Sequence, residues 1–158
     1  MMKLRNWIIP TLTAVLLSTG AAAEESVDKK PTYDPQLASE LGADKYGMHK
    51  YVLALLKAGP NRDQDEATAA ELQRAHMANI QRLASEGVLV LAGPFLDGGA
   101  LRGIYVFDVD TVEEARKLTE TDPAIQAGRL VMELHPWYGS AALKAVNDLH
   151  GKLSQQTP

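Results

Sequence analysis

Cysteine is absent from this 158-residue chain. No disulfide can form in any compartment, no thiolate can act as nucleophile or metal ligand, and a lipidated cysteine anchor is excluded. A basic excess is missing too. The 16 Lys and Arg stand against 20 Asp and Glu, for a formal net charge of −4. The two signs are interspersed and no basic stripe exists, which argues against a nucleic-acid partner and against adhesion to an anionic membrane. Nor is there an apolar run of the ~20 residues that a spanning helix needs. Four histidines without cysteines show no structural-zinc spacing. No internal repeat and no low-complexity segment is present.

The longest apolar run lies near the start. "MMKLRNW" carries Lys3 and Arg5, "WIIPTLTAVLLSTG" follows with Pro10 inside it, and "AAA" precedes "EES". A basic start, a short apolar stretch and small residues at −3 and −1 (Ala21 and Ala23) predict a secretory signal peptide over residues 1–23, cleaved after Ala23. The expected location is periplasmic or secreted, with no membrane attachment after cleavage. Loss of Lys3 and Arg5 leaves 14 basic residues against 20 acidic ones, a net charge of −6 over 135 residues. That length suits one domain with one core.

Residues 24–47 read as a polar leader ending in a short helix, with Asp34 as cap, Pro35 in the first position and Gly42 at the end. Leu37 and Leu41 are its expected apolar contacts. "HKYVLALLKAGP" is a strand that is apolar on both faces, hence central in a sheet. "LQRAHMANIQRLASEG" is an amphipathic helix ended by Gly87. "VLVLAGPF" and "RGIYVFDV" flank the turn "LDGGAL" as a hairpin. Thr111 caps the next helix, with Glu114 placed for a capping box. "TDPAIQAG" reads as a turn, "RLVMELHPWY" as the fourth strand, and residues 141–158 as a short C-terminal helix and tail. The domain proper is therefore residues 48–140. Its order, β-α-β-β-α-β, predicts an α+β, ferredoxin-like fold. A four-stranded antiparallel sheet has both helices on one face and the first and third strands in the centre. The other face, rich in Val, Leu and Tyr, calls for a cover, and a homodimer with two sheets face to face supplies one.

One helical position breaks pattern. Leu72, Ile80 and Leu83 share a face, and His76 stands on it where spacing asks for leucine. A buried neutral imidazole needs partners for a donor and an acceptor nitrogen. Asp122 follows the second helix on the same sheet face and is the best candidate. An aspartate bonded to an imidazole fixes its tautomer and favours the protonated ring, leaving the other nitrogen free to exchange a proton with a substrate. Two plainer readings stand beside this one: Asp122 caps the turn opened by Pro123, and His76 is a satisfied core residue. Gly93, Pro94 and Phe95, in "AGPF", bring backbone close to a ligand or else mark a bulge or strand end. Glu133 and His135 form a polar strand face or a dimer contact rather than a metal site, Trp137 and Tyr138 belong to the core or an interface, and His49 and His150 have no identifiable partner. "DGGALRG" lies in a hairpin and is no phosphate loop. No cofactor and no metal is expected.

Taken together, "YVLALLKAGP", "AHMANIQRLASEGVLVLAGPF", "LRGIYVFDVDTVEEARKL" and "TDPAIQAGRLVMELHPWYG" resemble the YCII-related domain family, in a secreted branch, from about Met48 to about Tyr138. The resemblance implies a dimeric α+β barrel and a His/Asp pair in a pocket beside the Gly-Pro of the second strand; His76, Asp122 and Pro94 match those positions. One activity it implies is dehydrochlorination of a hydroxylated aromatic ring. The export signal and both terminal extensions depart from that pattern. The expected function is a cofactor-independent enzyme acting on a small, polar or aromatic molecule, with His76 moving the proton and Asp122 orienting it. The alternative is a ligand-binding or structural module in which the pair is a polar core lock.

Overall fold

The computed structural model describes residues 31–156; the expected leader peptide lies outside them. Helix α1 (Pro35–Glu40) starts where Asp34 accepts hydrogen bonds from the Gln36 and Leu37 amides. It does not dock as expected: none of its residues is buried and Leu37 is exposed. Six residues present too little apolar surface to hold a helix against the domain.

Strand β1 (Met48–Ala58) lies between β3 (Leu101–Phe107) and β4 (Leu130–Ser140), and β2 (Leu89–Pro94) pairs with β3. All three pairings are antiparallel and the order is β2-β3-β1-β4. The first and third strands are therefore central, as the doubly apolar pattern of β1 required. Helix α2 (Glu66–Ser85) starts at Asp65, whose side chain caps it by accepting the Thr68 amide, and Gly87 follows its end at φ +75°. Only glycine takes that left-handed conformation without strain. Helix α3 (Val112–Thr119) carries the full capping box between Thr111 and Glu114. "TDPAIQAG" is not merely a turn. Asp122 caps a one-turn helix, α4 (Pro123–Gln126), because Pro123 presets its first dihedral.

Side chains divide the sheet into two faces. Val52, Ala54 and Leu56 of β1 meet Leu83 of α2, Ala115 of α3, and Tyr105 and Phe107 of β3 in the main core. Full burial of Leu83 alone contributes about 1.5–3 kcal/mol. On the opposite face Tyr51, Val90 and Val106 form a smaller cluster, against which Leu143 packs. Leu143 belongs to a 3₁₀ turn (Ala141–Ala145) that runs into α5 (Val146–Leu153). The C-terminal segment therefore covers part of the face that sequence reasoning left open. Trp137 and Tyr138 lie outside the core, 38% and 49% exposed. The Tyr138 hydroxyl donates to Asp44 and the Trp137 ring leans on Tyr51 at 5.9 Å.

Two backbone details place the site. Register slips between Leu89, opposite Phe107, and Leu91, opposite Val106. This bulge turns both Val90 and Leu91 to the outer cluster and returns Ala92 and Pro94 to the helix side, opposite Tyr105 and Gly103. At the end of β1, the Gly59 amide donates to the Arg129 carbonyl at 2.9 Å, and a Cβ at Gly59 would stand 2.2 Å from the Gly128 carbonyl oxygen. Gly59→Ala must push two backbones apart, so it is expected to cost about 1–3 kcal/mol by overpacking, read as a lower denaturation midpoint.

Candidate functional site

His76 sits midway along α2 on the buried face it shares with Asn79 and Leu83. Its Nδ1 donates to Asp122 Oδ2 at 2.6 Å, and the carboxylate is fully buried. The other oxygen, Oδ1, accepts the Ala124 amide at 2.9 Å. The two readings of Asp122 therefore hold together: one oxygen caps α4, the other holds the imidazole. The α2–α4 junction is tied further by Asn79, whose Oδ1 accepts from Arg82 and Thr121.

Fixing the proton on Nδ1 leaves Nε2 with a lone pair. The Tyr105 hydroxyl approaches it at 3.4 Å, longer than a normal hydrogen bond, and the two rings stack with centroids 6.3 Å apart. His76 and Tyr105 both line a cavity of about 1030 Å³ whose apolar wall includes Leu56, Met77, Ile80 and Leu89. Gly93 and Pro94 also line it, just past the bulge that turns Pro94 to the helix side. Phe95 does not; it follows the strand and is 44% exposed. The structure thus brings His76, Asp122, Gly93 and Pro94 to one place and leaves Phe95 outside.

A profile of the YCII-related domain matches residues 51–138. The chain belongs to the YCII-related domain family. A relative from Bacillus subtilis (strain 168), the uncharacterized protein YjpA, is 34% identical over 62 residues, 39% of this chain and 71% of that one. Among solved structures, 5-chloro-2-hydroxyhydroquinone dehydrochlorinase from Burkholderia phenoliruptrix AC1100, in complex with 2,5-dihydroxybenzoquinone, is similar with a TM-score of 0.42. It is 17% identical, and the match covers 54% of this chain and 92% of that one.

Several polar residues of this YCII-related domain were not singled out from sequence. Tyr105 hides in the apolar run "IYVF", and only pairing with β2 shows its place beside His76. Arg62, Arg102 and Arg129 also line the cavity, together with Gln73 and Asp148. His49 does have partners: its ring meets the Gly42 carbonyl at 3.0 Å and Asp108 at 2.8 Å, and Lys144 reaches the same carboxylate. That network ties β1 to the C-terminal segment, on the sheet face away from His76. Glu133 is engaged by Lys57 and by His135.

Burial, and then the Asp122 charge, hold the Tyr105 phenol above its ordinary pKa; burial, and then Asp108, push Tyr51 up to about 12. A raised folded-state value means that unfolded chains ionise first, near pH 10, while the native fold keeps its protons. Stability is then complete below pH 10 and falls as pH rises toward the folded values. The denaturation midpoint is expected to drop between pH 10 and 12, with the phenolate absorbance of these two tyrosines appearing largely on unfolding.

Proposed function

We propose that this YCII-related protein is a cofactor-independent acid–base enzyme acting on a small, polar or aromatic molecule. The observation that carries the reading is the His76 imidazole, with one nitrogen fixed by a buried carboxylate at 2.6 Å and its ring on the wall of a cavity large enough for such a ligand. His76 Nε2 accepts a proton from the substrate, Asp122 meets the charge formed on the ring, and the proton returns to the product. The Tyr105 hydroxyl, kept protonated by burial, donates a hydrogen bond to a developing oxyanion. The 3.4 Å contact between Tyr105 and Nε2 is weak enough for a ligand atom to replace.

Ring-labelled His76 followed by NMR during titration with small phenols and hydroxylated aromatic acids tests the proposal. Binding that shifts the His76 ring supports it. A ring that never responds while ligands bind elsewhere supports the core-lock alternative, in which 8% exposure and the capping role of Asp122 are the whole story.

Export and self-association belong to the same proposal. Lys3, Arg5, the apolar stretch after them and Ala21 and Ala23 support a cleaved signal peptide and a periplasmic or secreted location. The protein isolated from its host is expected to begin at Glu24, and an N-terminus at Met1 or Met2 would oppose this. A homodimer through the remaining open sheet face is supported by exposed Val131 and Trp137 on β4. Sedimentation showing only monomer would remove it.

A further inference from the structure

The cavity has a charge pattern that the acid–base reading does not use. Arg62, Arg102 and Arg129 all line it, and Asp148 is the only acidic residue among the described residues that do. This is a cationic enclosure in a chain whose acids outnumber its bases. Three other cations of the domain find carboxylates: Lys57 pairs with Glu133, Arg82 with Glu86 and Lys144 with Asp108. Among the described residues, none of the three cavity arginines does. Their hydrogen bonds go to neutral groups instead: Arg62 to the Arg129 carbonyl at 3.2 Å, Arg129 to the Gln64 side chain at 2.8 Å, and Arg102 to the Gly98 carbonyl at 3.3 Å. Arg102 Nε is sealed from solvent and has no partner.

Like charges held together without a counter-ion repel. Arg62 is exposed, yet its pKa is lowered, first by partial desolvation and then by the charges of Arg129 and Arg102. Folding does not by itself favour such a cluster, whereas an anion in the cavity would turn the repulsion into attraction. Guanidinium presents a planar fork of donors that matches a carboxylate two bonds at a time. Each arginine still has unused donors: among the described residues each makes one hydrogen bond, against the five N–H groups available to it.

We propose that Arg62, Arg102 and Arg129 form the recognition end of the cavity for the carboxylate of a small organic acid, whose apolar body lies along Leu56, Ile80 and Leu89 toward His76. The assignment rests on the acid–base reading only in taking this cavity as the ligand site. It narrows the ligand class from any small molecule to a monoanion with an apolar body.

Benzoate and its neutral isostere benzamide make the test, in the full-length protein, by ligand-observed NMR together with the His76 ring signal. Benzoate is expected to bind about tenfold more tightly than benzamide, a difference of about 1.4 kcal/mol. Salt raised from ~0.05 to ~0.5 M should narrow that difference by screening. Arg62→Gln and Arg102→Gln should each weaken benzoate about tenfold and leave benzamide unchanged. Arg62 is exposed, so its variant carries the test if Arg102→Gln does not fold. Equal affinity for the two probes, wild-type benzoate affinity in a folded Arg62→Gln protein, or silence of both probes at millimolar concentration would overturn the assignment. The two readings fail separately. Equal binding that still shifts the His76 ring ends the carboxylate assignment alone. Arginine-dependent benzoate binding that leaves the ring unmoved ends the acid–base reading alone.

Discussion

Asp122→Asn is expected to abolish turnover, by about 10³–10⁴-fold, while leaving a folded protein. The side chain is isosteric, and its carbonyl oxygen can keep the bond that Oδ1 now accepts from the Ala124 amide. The cap of α4 therefore survives. The amide NH₂ then faces His76 Nδ1, where a carboxylate oxygen stood at 2.6 Å. A donor cannot face a donor, so the ring must place its proton on Nε2 and accept at Nδ1. That tautomer points an N–H at the cavity instead of a lone pair, and no base remains. Stability should fall by about 1–3 kcal/mol, since one charge-assisted bond is exchanged for a neutral one. Asp122→Ala is the contrast. It removes the cap as well as the partner, and is expected to cost about 3–5 kcal/mol. Chemical denaturation of both variants, with turnover on whichever acid the ligand screen returns, separates tautomer from scaffold. Full activity in Asp122→Asn would show that the proton position does not matter, and general-base chemistry at His76 would be lost with it.

The sequence exposed this pair for a physical reason. A helix repeats every 3.6 residues, so an imidazole on the row of Leu72, Ile80 and Leu83 conflicts visibly with its surroundings. Asp122-Pro123 likewise marks a capped helix start, although not that one carboxylate serves two masters. Strand order followed in the same way from the doubly apolar β1. What stayed hidden depends on long-range geometry. Arg62, Arg102 and Arg129 are separate surface-type residues in the chain, and only the ends of β1, β3 and β4 bring them to one cavity. Tyr105 looks like one more β-former between Ile104 and Val106. His49 meets Asp108 across 59 positions. The bulge after Leu89 has no glycine to announce it, yet without it Ala92 and Pro94 would face the wrong side of the sheet. The C-terminal helix is legible in the sequence, but its cover over Tyr51 and Val90 is not, because an apolar residue such as Leu143 does not say which face it will find.

If the pair existed only to stabilise the fold, leucine would do better at position 76, and a double substitution can decide this. His76→Leu alone supplies the residue that the helix spacing calls for, but it strands a fully buried carboxylate. An uncompensated buried charge is expected to make this variant about 3–5 kcal/mol less stable. Adding Asp122→Ser removes the charge and keeps an oxygen that can accept the Ala124 amide, so the α4 cap is retained. The double variant should then recover roughly 2 kcal/mol or more over His76→Leu, and come close to the parent, because well-packed apolar groups replace ion pairs at little net cost. Its turnover should be absent, and its cavity should still bind ligands through the apolar wall. Recovery of stability without function would mean that the imidazole and carboxylate are kept for what they do to a ligand. A double variant no more stable than His76→Leu alone would mean that the pair itself holds α2 to α4, and that His76 interrupts the leucine row for the sake of the fold.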